Sequence, residues 1–125
     1  MLPAVRRALQ KMGYSVADEV RILGKTLDVV GARCPAPELV TIELKLADWR
    51  RALCQAYVNQ AFAGSAFVAL DEVFVHRADL ESFRQLGVGL MQVGTEADVV
   101  LDPLPHDAAN GLLASRLWLS VMEVT

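Results

Sequence analysis

The stretch Val40-Thr41-Ile42-Glu43-Leu44-Lys45-Leu46, VTIELKL, decides how the chain is read. Strict alternation sets Val40, Ile42, Leu44 and Leu46 on one face and Thr41, Glu43 and Lys45 on the other, which is the period of a β-strand. Exposed strands often alternate acid and base, and a solvated Glu43–Lys45 pair would add only about 0–1 kcal/mol. What gives the pair chemical interest is the sequence on either side of it.

On the N-terminal side, residues 18–23 read as a strand with Val20 and Ile22 on one face, Gly24-Lys25 as a turn, and Thr26–Val30 as the returning strand. Asp28 stands mid-strand in this hairpin, where a carboxylate has no structural reason to be. Residues 31–37, GARCPAP, read as a loop, because Pro35 and Pro37 cannot continue a ladder. If the Asp28 strand pairs with the VTIELKL strand, Asp28, Glu43 and Lys45 converge. Two carboxylates at one point repel unless a cation lies between them. Hard oxygen ligands select Mg²⁺ or Mn²⁺. A neighbouring lysine can orient a water or neutralise a phosphate. Together these are the parts needed for metal-assisted phosphodiester hydrolysis.

On the C-terminal side, Asp48 is placed to cap a helix running to about Ala63, with Gly64 as its stop. Trp49, Leu53, Ala56 and Tyr57 form its expected apolar stripe, and Arg51, Gln55 and Asn59 line up elsewhere at i, i+4 spacing. Further out, an initial helix is expected over Ala4–Met12, with Val5, Leu9 and Met12 apolar and Arg6, Arg7 and Lys11 on the other side. Ala66–Leu70 reads as a buried strand, Asp79–Leu86 as a short helix, and Val88–Val93 and Asp98–Leu101 as strands about a Gly94-Thr95 turn. A final helix is expected from Asp107 to Leu119, started near Asp107 or Asn110, although LWLSVMEV also reads as a strand. The whole predicts one α/β domain over residues 1–125, a single-layer mixed sheet flanked by helices.

Composition sets the outer bounds. At 125 residues and 54% apolar, the chain can bury a core and is not disordered. No apolar run reaches the roughly 18 residues needed to cross a bilayer, and MLPAVRRALQKM lacks the pattern of a signal peptide. The expectation is a soluble cytoplasmic protein without a membrane partner. Two cysteines and two histidines stand at no zinc spacing, and His76 and His106 read as surface residues. The net charge of −3 is split: residues 1–60 hold nine Lys/Arg against six Asp/Glu, and the remainder three against nine. The positive half is the one suited to a polyanion.

At these residues the chain resembles the PD-(D/E)xK, or restriction-endonuclease-like, nuclease superfamily. TLDVVG supplies the acid, TIELKL the E-x-K, and WRRALCQAYVNQA the helix that follows; the likeness spans about residues 4–93. The resemblance implies an αβββαβ core and a Mg²⁺- or Mn²⁺-dependent nuclease acting on nucleic acid, DNA foremost. Asp28 and Glu43 would bind the metal with the Leu44 carbonyl, Lys45 would position the attacking water, and Gln55 would support the site, with Gln60 as the alternative inward glutamine. Arg50, Arg51, Arg6, Arg7 and Lys11 are the candidate phosphate contacts. Three departures are visible: Leu27 stands where a proline is common, Asn59 where one branch has tyrosine, and the first helix has no glutamate, for which Glu19 is the substitute. The competing readings are a catalytically inactive nuclease-fold module that binds nucleic acid or supports assembly in a repair, mobile-element or defence system, and a partner-binding protein. The apolar tail, with Leu112, Leu113, Leu117, Trp118 and Leu119, reads as a homodimer face.

Overall fold

The computed structural model describes residues 1–35, 37–108 and 110–124. In chain order the elements are α1 (Leu2–Lys11), β1 (Ser15–Ile22), β2 (Lys25–Arg33), β3 (Glu38–Lys45), α2 (Trp49–Asn59), β4 (Ser65–Asp71), a 3₁₀ turn (Val75–Arg77), α3 (Leu80–Leu86), β5 (Gly89–Val93), β6 (Ala97–Leu101) and α4 (Gly111–Val124). The strands form one mixed sheet in the order β1-β2-β3-β4-β5-β6. β1, β2 and β3 make an antiparallel meander, β3, β4 and β5 run parallel, and β6 returns antiparallel to β5. The two parallel joins need long crossovers, which α2 and α3 supply. Among the described residues no helix is long and apolar enough to cross a membrane.

Helices cover both faces of the sheet. On one face α1 inserts Ala4, Val5 and Leu9 against Val29, Val40, Ile42, Phe67, Ala69, Met91 and Val93. On the other face α2 and α3 bring Trp49, Leu53 and Phe83 onto Val68, Leu70 and Leu90. Beside them α4 lays Leu117 and Val121 over Leu27, Val30, Ala32 and Leu39. Each fully buried large side chain contributes about 1.5–3 kcal/mol of transfer free energy. The central strands are therefore buried on both sides, and β4 reads as a continuous apolar run for that reason. Gly31 is required at its place, because a Cβ there would lie 2.9 Å from the Val40 side chain and 3.2 Å from the Tyr14 ring.

Several expectations need correction. The GARCPAP loop is shorter than its prolines indicated: Gly31, Ala32 and Arg33 pair with Val40, Leu39 and Glu38, so β2 runs on to Arg33. Ala36 lies outside the described residues. α1 begins at Leu2, with Pro3 in the first turn, where a missing N–H is harmless. Asp48 does cap α2, accepting from the Arg51 N–H, but the helix stops at Asn59, well before Gly64. Tyr57 is 51% exposed and does not belong to the apolar stripe; Ala52 takes that role. Of the two expected starts for the last helix, the Asn110 one is taken: α4 begins at Gly111, the Asn110 side chain accepts from the Leu113 N–H, and LWLSVMEV is helix. In the apolar tail, Leu117 is buried, and Leu113 and Trp118 pack on the sheet. Trp118 also donates to the Arg33 carbonyl at 3.0 Å. Only Leu112 and Leu119 of that group remain strongly exposed, because the tail completes the core of its own chain.

One irregularity positions the site. Leu27 and Val29 are two residues apart on β2 yet face opposite layers, Leu27 toward α4 and Val29 toward α1. The alternation slips at Asp28. The neighbouring strand slips with it: Glu19 has φ +51°, between the Asp18–Val29 and Val20–Leu27 pairs. Irregularities of this kind terminate pairing and re-aim a side chain.

Candidate functional site

The site lies where β2 parts from β3. Their pairing extends from Arg33–Glu38 to Val29–Ile42 and stops one step short of Asp28 and Glu43. Beyond that point the Asp28 side chain takes over: its Oδ2 accepts the Leu44 N–H at 2.9 Å. This bond ties the carboxylate to β3.

Glu43 is buried, at 5% exposure, on the face of β3 that meets α2. Asn59, at the end of α2 and only 1% exposed, donates from Nδ2 to Glu43 Oε1 at 3.0 Å. Burial pushes the Glu43 carboxyl above its ordinary range, and the nearby Asp28 charge pushes it further. The two carboxyl groups come within hydrogen-bonding range of one another. The Asn59 bond and the positive charge of Lys25 act in the opposite sense. Two acids in contact, with one reluctant to ionise, form a pair that either shares a proton or holds a cation in its place.

Lys45 is half-buried, two residues beyond Glu43 on the same side of β3, and forms no ion pair with any described residue. Gln55, one turn before Asn59, is half-buried, and its Oε1 is sealed from solvent with no hydrogen-bond partner. Thr41 Oγ1 and Asn59 Oδ1 share that condition. The polar side of β3 (Thr41, Glu43, Lys45) is thus met by a polar edge of α2 (Gln55, Asn59). Gln60 is not the inward glutamine, because its amide donates to the Leu86 carbonyl.

The candidate phosphate contacts divide. Arg50 and Arg51 lie in the first turn of α2, shortly past the Lys45 end of β3, and both are exposed; Arg50 lies over the Trp49 ring at 4.6 Å. Arg6, Arg7 and Lys11 sit on α1, across the sheet from α2. Arg6 is paired with Asp18 at 2.8 Å and Arg7 donates to the Thr95 carbonyl at 2.8 Å, so these two are engaged in holding α1 in place. Sequence reasoning passed over two participants. Asn59 stands off the expected apolar stripe, and Lys25 reads as a turn residue. The signals for Asn59 are its i, i+4 relation to Gln55 and its place where one nuclease branch has tyrosine. His106 is exposed as expected but has a partner, its Nε2 lying 3.1 Å from the Gln60 carbonyl.

Among the described residues no group of three His, Cys, Asp or Glu is placed to hold a metal, and Glu19 is exposed and outside the pair. Mg²⁺ is commonly held by one or two carboxylates and retains several waters, so a contacting Asp28–Glu43 pair fits it. A cavity of about 340 Å³ lies elsewhere, between Tyr14, Glu38, Phe62, His106 and Trp118, and includes none of the site residues.

No family model and no curated protein matches the chain. Its structure is similar to that of the SPO1766 protein of unknown function from Silicibacter pomeroyi, with a TM-score of 0.76 and 20% identity, over 98% of this chain and 81% of that one. That likeness is one of fold.

Proposed function

We propose that the protein is a Mg²⁺- or Mn²⁺-dependent nuclease that hydrolyses phosphodiester bonds, with DNA as the first substrate to test. The observation that carries this reading is the contact between Asp28 and Glu43 at the point where β2 leaves β3, with an unpaired Lys45 beside them. The order α1-β1-β2-β3-α2-β4 agrees with the αβββαβ core that the nuclease resemblance implies.

Asp28 and Glu43 would hold the metal, with the Leu44 backbone lying between them. The ion, when bound, supplies Lewis acidity at the phosphate and neutralises developing charge. Lys45 orients the attacking water and screens the phosphate from the two acids. Gln55, with its orphaned carbonyl oxygen, fixes a water or the Lys45 ammonium from the α2 side. Arg50 and Arg51 offer charge to the flanking phosphates, at the positive half of the chain.

The test is cleavage of supercoiled plasmid and of single- and double-stranded oligonucleotides with Mg²⁺, Mn²⁺ or EDTA. Lys45→Ala and Asp28→Asn should each lower the rate by about 10²-fold or more. Equal rates in wild type and both variants would remove these residues from the mechanism. A second reading, a nuclease-fold module that binds nucleic acid without cutting it, is favoured by one observation: the described acids near the site number two, with no third ligand. Binding without cleavage in every metal would select it.

A further inference from the structure

A buried core position does not ordinarily keep a half-satisfied amide. Asn59 is 1% exposed, its Oδ1 has no partner, and its one side-chain bond is the 3.0 Å donation to Glu43 Oε1. An apolar residue of similar volume would remove the unpaired Oδ1 but would leave the buried Glu43 Oε1 without its donor. The single bond the amide makes therefore serves the Glu43 carboxylate, and it holds that carboxylate in one orientation.

We propose that Asn59 is a positioning residue for the acidic pair: by binding Glu43 Oε1 from behind, it fixes the carboxylate so that its second oxygen is presented, together with Asp28, to a shared divalent cation. This rests on the metal-site reading above. The geometry closes a chain from backbone to ion-binding oxygens: the Leu44 N–H holds Asp28 Oδ2, and Asn59 Nδ2 holds Glu43 Oε1. Each acid is thereby held in place through one of its oxygens. Asn59 reaches Glu43 because α2 packs on β3 with its last turn at Glu43. Thr41, two residues before Glu43 on the same face of β3, has a sealed hydroxyl without a hydrogen-bond partner. Gln55 lies a turn nearer the start of α2 and is only half-buried, so it is the weaker candidate for the same task.

Partners that orient metal ligands typically account for about 10–100-fold in metal affinity. The experiment is Mn²⁺ binding to the full chain, read as free Mn²⁺ by electron paramagnetic resonance, with urea unfolding of the metal-free proteins run alongside. The variants are Asn59→Leu, which keeps bulk and removes the donor, and Asn59→His, which returns a ring nitrogen at the same bond distance. The expected result is a rise of about 10–100-fold in the Mn²⁺ dissociation constant for an Asn59→Leu protein that remains cooperatively folded, and recovery of affinity in Asn59→His. A purely structural role would move stability and affinity together and would not be rescued. Unchanged Mn²⁺ affinity in a folded Asn59→Leu variant overturns the proposal and leaves the nuclease reading standing. Tight Mn²⁺ binding that depends on Asn59 but accompanies no cleavage supports the proposal and removes the nuclease. Absence of Mn²⁺ binding by wild type overturns both.

Discussion

Replacing Asp28 by asparagine should stabilise the metal-free protein at neutral pH while abolishing its response to metal. Glu43 has its carboxyl raised first by burial and second by the Asp28 charge. The folded protein then keeps the Glu43 proton at pH values where the unfolded chain has released it. In that window the folded state binds more protons, so stability falls as pH rises. The fall begins near the unfolded carboxylate value and levels off above the folded one. For one group its slope cannot exceed about 1.4 kcal/mol per pH unit. Asp28→Asn removes the second cause and keeps an amide oxygen for the Leu44 N–H. Each pKa unit that Asp28 contributes is worth about 1.4 kcal/mol, regained at neutral pH. Glu43→Gln removes the titration entirely and keeps an acceptor for Asn59. Above the unfolded carboxylate value, the fall of stability with pH should therefore be greatest in wild type, smaller in Asp28→Asn and absent from the Glu43 contribution in Glu43→Gln. Urea unfolding in EDTA, followed by the fluorescence of buried Trp49 and half-buried Trp118, reads this directly, provided the m-values agree. Mn²⁺ at about 100 times its dissociation constant should then stabilise wild type by about 2.7 kcal/mol and leave Asp28→Asn unmoved. A wild-type stability that rises through the window, or an asparagine variant no more stable than wild type at pH 7, would refute the reasoning.

Three further outcomes follow from the packing and the charge distribution. Phe83→Ala empties a fully buried site whose ring centroid lies 6.0 Å from that of Trp49, and should cost about 3–5 kcal/mol by chemical denaturation. Gly89→Ala would put a Cβ 2.7 Å from the Phe67 ring and 2.8 Å from Pro103 Cδ, so overpacking of about 1–3 kcal/mol is expected from the same measurement. Arg50→Ala with Arg51→Ala should weaken DNA binding and reduce the salt dependence of the binding constant by about one to two ions, whereas Arg7→Ala should leave that slope unchanged. Fluorescence anisotropy across a salt series distinguishes the two.

The acid pair was legible in the sequence because strand alternation and a hairpin together bring Asp28 and Glu43 to one place. That inference survives even though both faces of β3 are buried, since the alternation VTIELKL marks which face is polar rather than which is wet. The slip at Asp28 was not legible, because neither Leu27 nor Val29 shows by identity which layer it enters. Asn59 escaped for a similar reason. On a helix, a polar residue in register with Gln55 and Arg51 reads as solvent-facing, and only the packing of α2 on β3 turns Asn59 inward. Arg6, Arg7 and Lys11 were grouped with Arg50 and Arg51 by charge, but the sheet separates them. The prolines at 35 and 37 ended β2 on paper three residues before the ladder ends. LWLSVMEV, apolar enough for either period, takes helical form because Leu117 and Val121, one turn apart, both reach the β1–β2 side of the sheet.

The first helix has a consequence for the rate of folding. Arg6 ties α1 to Asp18 on β1, and Arg7 ties it to Thr95, 88 residues away in the turn before β6. Ala97 packs in the same cluster. The helix is a crossbar between the two outermost strands. Its seating joins residues far apart in the chain, and contacts of such long sequence separation are the ones that slow folding.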